Sequence, residues 1–110
     1  MAHFHPNLTS EKWHGLSKTL EILNIGSELT RAKNSFAKGY GPDGCSSLDR
    51  ALELLDLTIG DPKWQSGARR ELLRLREHLG AGYNADASIN WHLALRVLFQ
   101  LDAQAAMVEV

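Results

Sequence analysis

The side chains best suited to metal or nucleophilic chemistry in this chain are five histidines and a single cysteine. His14, His78 and His92 fall in three separate helical segments. No two histidines stand four apart, the spacing at which one helix face presents two ligands. No pair of Glu-x-x-His motifs of the carboxylate-bridged di-iron kind is present either. In an antiparallel bundle His14 sits at one end, while His78 and His92 share the other with Cys45 and Asp49. Cys45, His78 and His92 are therefore the constellation that topology allows for a thiol- or metal-dependent site. Cys45, just ahead of a helix, would gain thiolate character from the helix dipole, although loop cysteines and helix-end histidines are also common without such a role. His3 and His5, two apart near the amino terminus, could chelate Cu(II) or Ni(II) in a plane with backbone nitrogens. A solvated chain end is the expectation there, and no cofactor is expected.

Other chemistries find less support. Arg69, Arg70, Arg74 and Arg76 make the most basic stretch and offer a candidate patch for RNA or an acidic partner. Glu71 and Glu77 lie among them, so four arginines against two glutamates leave +2, which is dilute for phosphate-driven binding. Arg74 and His78 are also too close for the wider arginine–histidine spacing of the RNA-cleaving helical bundles of the HEPN group. Glu53 and Asp56 share a helix face, where solvation and pairing with Arg50 are the expected roles. The glycines from Gly39 to Gly44 lack both the Lys-Ser/Thr of a phosphate loop and a preceding strand.

The elements that must position these residues are helical. The chain has 18 Leu and 12 Ala against three Val, four Ile and four Thr, a balance that favours helix over strand. Four segments emerge. The first runs from Ser10 to Ala37, capped by Thr9 or Ser10, with apolar stripes Trp13, Leu16, Leu20, Leu23 and Ile22, Ile25, Leu29, Ala32, Phe36. Gly26 marks a kink or a close helix crossing within it. Residues 38–45 read as a loop, after which Ser46 or Ser47 caps a second helix that ends at Ile59. Gly60-Asp61-Pro62 then closes one helix and opens a third, which runs to Leu79. Asp86 or Ser88 caps a fourth that runs to Ala106. The expected fold is all-α: an antiparallel, up-down-up-down four-helix bundle with a long first helix. Residues 1–9 form an irregular segment, 10–106 a single domain and 107–110 a tail.

The fourth segment carries an apolar surplus. Its polar stripe (His92, Arg96, Gln100) is narrow, and a first helix of about 28 residues would span ~40 Å and overhang its neighbours. Both features suggest cover by a second chain. The expected interface comprises Trp91, Leu95, Leu98 and Phe99, with His92 and Arg96 at its rim. Trp64, Tyr40 and Tyr83 either join such an interface or plug the ends of the bundle.

The formal net charge of -1 is evenly spread, which speaks against a basic nucleic-acid arm or an acidic tail. No apolar run is long enough to cross a membrane, no signal-like start is present, and a lone cysteine suits a reducing compartment. The expectation is a cytoplasmic, non-catalytic interaction module that forms a homodimer or binds a helical partner. Nucleic-acid binding through the third helix and a small metal or thiol site are the alternatives.

Overall fold

A computed structural model of the chain describes residues 7–83 and 89–107. Every regular element among them is a helix: α1 (Ser10–His14), α2 (Lys18–Ala37), α3 (Gly41–Ile59), α4 (Ser66–Ala81), α5 (Trp91–Phe99) and α6 (Ala103–Ala106). The all-helical class is as expected. The number and bounds of the helices differ, and each difference has a local cause.

The long first helix is two helices. The N–H of Gly15 closes α1 on the carbonyl of Glu11. The Ser17 hydroxyl then accepts from the N–H of Leu20 at 3.1 Å and begins α2. A hydroxyl that satisfies a first-turn donor offers the chain a reason to restart. Thr9 does the same for α1, accepting from Lys12. The 20 residues of α2 span ~30 Å, so the overhang expected of the longer helix is absent, and with it one reason to expect a partner.

Three other starts move. α3 begins at Gly41, and Pro42 occupies its first turn. A first-turn N–H has no helical partner, so proline loses nothing there, and Cys45, Ser46 and Ser47 become helical. α4 begins at Ser66, beyond Asp61-Pro62. Asp61 Oδ1 instead accepts from the backbone N–H of Lys63 at 3.0 Å, a carboxylate-to-backbone turn. Ser66 enters with φ 56°, a left-handed conformation that L-residues seldom adopt. α5 is capped by Asn90, whose side-chain Oδ1 accepts from the N–H of Leu93 at 3.0 Å. The expected caps Asp86 and Ser88 lie outside the described residues, as do His3, His5 and most of the expected C-terminal tail. The fourth segment then breaks after Phe99, because Asp102 accepts from Ala105 and starts α6.

α2 is the hub. It packs most extensively on α3 and also meets α5 and α6, while α3 meets α4 and α1, and α4 meets α5. The core lies between them, with Ile22, Ile25 and Leu29 of α2, Leu48 and Leu55 of α3, Leu72 and Leu79 of α4 and Leu98 of α5 all at 0% exposure. Two glycines set the distances. A Cβ at Gly26 would stand 2.5 Å from the Phe99 ring, and one at Gly44 would stand 2.9 Å from the Phe36 ring. Gly26 is therefore the close crossing of α2 and α5, and α2 is continuous through it. Trp91 stacks on Phe36, with 5.8 Å between ring centroids.

Candidate functional site

The densest polar chemistry lies where α1, α2 and the 61–65 turn meet. Glu21 is fully buried and Asp61 nearly so. Lys63 reaches between them and donates from Nζ to Glu21 Oε2 and to Asp61 Oδ2. The third donor of its ammonium goes to the carbonyl of His14 at 3.0 Å. The second oxygen of Glu21 accepts from the Trp64 indole at 3.0 Å. Trp64 is itself 1% exposed, and Lys18 Nζ stands 5.1 Å above its ring, a cation–π distance. Trp64 is thus an end plug of the core and not a surface residue.

These contacts set the ionisation of the group. Burial pushes the Glu21 carboxyl up, opposed by the bond from Lys63 and reinforced by Asp61, and the net direction is up. Burial works the same way on Asp61, but the ammonium and backbone N–H of Lys63 overcome it and hold that carboxyl below its ordinary value. For Lys63, burial favours the neutral amine, yet the two carboxylates outweigh it and raise the pKa. No buried side-chain polar atom among the described residues lacks a hydrogen-bond partner. A buried charge group whose polar atoms all have partners is costly to break. It ties the 61–65 turn to α1 and α2.

The same region anchors α1. The Trp13 indole donates to Thr58 Oγ1 at 2.9 Å, and Thr58 passes its own proton to the carbonyl of Leu54. The His14 ring lies 2.9 Å from the carbonyl of Leu57 through Nε2. A carbonyl can only accept, so Nε2 carries the proton. Two turns beyond Glu21 on α2, the carboxylate of Glu28 takes Arg31 on one oxygen and Arg50 on the other, each at 2.9 Å.

Cys45, His78 and His92, expected together at one end of the bundle, have different surroundings. Among the described residues no three His, Cys, Asp or Glu side chains are placed to hold a metal ion, so Cys45, His78 and His92 make no metal centre. Cys45 is half-buried within α3, since that helix starts four residues ahead of it. Near it Tyr83 donates to Asp49 at 2.9 Å, and this bond, with burial, raises the phenol. His78 Nε2 accepts instead from the backbone N–H of Asn90 at 3.4 Å, and His92 is exposed.

Three of the four arginines in the expected basic patch are engaged within the chain. Arg69 donates to the carbonyl of Ile59, Arg74 to Glu71 and Arg76 to Asp56. Arg70 is exposed. Of the expected interface, Leu98 is fully buried in the chain's own core, because α5 turns that side onto α2. Trp91, Leu95 and Phe99 are half-buried against the same core, and His92 and Arg96 are exposed.

The open apolar surface of α5 lies on the other side. Leu93, 52% exposed, stands with Ala94 and Val97 over a cleft of about 150 Å³ shared with Leu75 of α4 and edged by Glu71, Arg74 and His78. No described helix is long and apolar enough to cross a membrane. Comparison with family models, with curated proteins and with solved structures found no match.

Sequence reasoning missed Glu21, Asp61 and Lys63. A signal existed for the first. Glu21 lies four residues before Ile25 and eight before Leu29, in register with the buried stripe of α2, where an acidic residue must find a partner. Asp61 and Lys63 carried no comparable sign, because a turn sequence is equally rich in polar residues wherever it points.

Proposed function

We propose that the chain is a non-catalytic helical interaction module that self-associates through the α4–α5 cleft. The four longer helices, α2 to α5, serve as an up-down frame, and the working form is a cytoplasmic homodimer. The carrying observation is Leu93, an exposed leucine on the rim of an apolar cleft with charged edges. At about 150 Å³ the cleft is well below the ~300 Å³ at which small-molecule pockets begin, and it suits one inserted side chain. In a two-fold pair, Leu93 of each copy enters the other's cleft, while Glu71 and Arg74, paired within the chain, edge it. Binding of RNA through α4 is the weaker reading, since Arg69, Arg74 and Arg76 already have partners in the chain.

Sedimentation equilibrium tests this reading. The wild-type chain is expected to dimerise in the micromolar range, and Leu93→Glu is expected to be a monomer with unchanged helix content and melting. A wild type that stays monomeric at several hundred micromolar, or a Leu93→Glu variant that still dimerises, overturns it.

A further inference from the structure

The break between α1 and α2 creates a second opening, independent of the α4–α5 cleft. Gly15 and Ser17 turn the chain so that α1 lies across α3, held there by Trp13 on Thr58 and His14 on Leu57. α1 does not fill the wedge it roofs. A cavity of about 360 Å³ remains between α1, α2 and α3, partly open to solvent. That volume lies within the range of small-molecule pockets.

The walls differ in character. Leu8, Trp13, Leu16 and Leu54 form an apolar end. Glu28 and Arg31 form the polar end. Both oxygens of Glu28 are occupied, one by Arg31 and one by Arg50. Arg50 lies behind the lining, so two guanidinium groups share one carboxylate and the charge group beside the polar end carries one net positive charge. Arg31 commits one N–H to Glu28, and its side chain is 65% exposed. Its planar fork therefore has further donors at the cavity rim, in the geometry that accepts a carboxylate.

We propose that this cavity binds a small free carboxylate with an unbranched apolar chain: the chain beneath α1 among Leu8, Leu16 and Leu54, and the head on Arg31. Charge decides the head group, since the polar end is net cationic. A volume of about 360 Å³ favours a single small molecule over a helix.

Octanoate is the probe, with octanol and octylamine as head-group controls. In an NMR titration the Trp13 indole N–H and the Leu16 methyls are expected to shift, with the millimolar affinity suited to ten heavy atoms. Octanoate is expected to bind roughly tenfold more tightly than either control, about one charge-assisted contact. Arg31→Gln, an exposed change, is expected to bring octanoate down to the level of octanol. Leu16→Trp is expected to fill the cavity and abolish the shifts, with circular dichroism confirming the fold. Equal binding of all three probes, or Arg31→Gln that leaves octanoate affinity unchanged, overturns the proposal. So do shifts centred on Leu93 and Val97, or a leucine-terminated peptide that binds more tightly than octanoate.

Discussion

Charge is used in two ways in this molecule, and the contrast lies between the 61–65 turn and the outer face of α4. At the turn, Lys63 holds two buried carboxylates and a backbone carbonyl, and a buried indole completes the set. On α4, Arg74 meets Glu71 with side chains 66% and 42% exposed, and Arg76 meets Asp56 at 33% and 52%. In sequence the second group is the conspicuous one, with four arginines in eight positions. In physical terms the first matters more. Exposed pairs gain little from Coulomb attraction in water and lose side-chain freedom. A buried pair that is cut leaves a charge with nowhere to go.

Substitutions can break that contrast. The largest expected effect is Lys63→Met, which leaves Glu21 and Asp61 facing each other without a counter-charge. A loss of about 3 kcal/mol is expected from urea unfolding, toward the low end for a cut buried pair because Lys63 keeps some solvent contact. Glu21→Gln in the same chain should return part of that loss, and the double-mutant cycle gives the coupling. A Lys63→Met protein as stable as wild type would place the network among the decorative pairs.

Next in size is Trp64→Phe. It keeps the ring and removes the donor from Glu21 Oε1, with about 2 kcal/mol expected, the scale of a hydrogen bond to a charged group.

The pH profile sharpens the contrast further. Asp61 is held below its ordinary 3.8, so its contribution is complete above that value and is lost as pH falls through the folded pKa. Glu21 is raised above its ordinary 4.5, so its contribution is complete below that value and declines as pH rises. Lys63, raised above 10.5, contributes below that value and loses its share as pH climbs past it. The two acids thus oppose each other, and their joint contribution peaks between 3.8 and 4.5. Urea midpoints measured from acid to neutral pH should show that peak in the wild type and lose it in the Glu21→Gln, Asp61→Asn protein.

The smallest expected effect is Arg74→Ala, at no more than about 0.5 kcal/mol, checked in the same urea series. A cost equal to that of Lys63→Met would erase the distinction between the two regions.

The all-helical class was legible because Leu and Ala dominate and the apolar spacing is three and four. Gly60 marked the end of α3 correctly. The first break was not read, because Gly15 and Ser17 resemble the Gly26-Ser27 pair, which α2 absorbs intact. What separates them is tertiary: Gly26 faces the Phe99 ring, while Ser17 caps Leu20. Pro42 reads as a loop residue although it suits a first helical turn equally well. For the site, Trp91, Leu95, Leu98 and Phe99 look like free surface in the sequence because a helix wheel cannot say which side meets α2. The buried charge group is illegible for a different reason: His14 and Glu21 are remote in sequence from Lys63 and Trp64 and meet them only once the chain has folded.

That remoteness carries a kinetic consequence. Trp13 and Thr58 are 45 residues apart, Glu21 and Trp64 are 43 apart, and His14 and Lys63 are 49 apart. α2 and α3, by contrast, are joined by the short link 38–40. Closing a short loop loses less entropy than closing a long one, so the α2–α3 hairpin forms early. The α1 anchor and the Lys63 bridge then tighten on the native side of the barrier. Breaking them should steepen escape from the folded state and leave the rate of return nearly unchanged. The buried charges of this small helical protein would then act less as architects of its fold than as the latch that keeps it from opening.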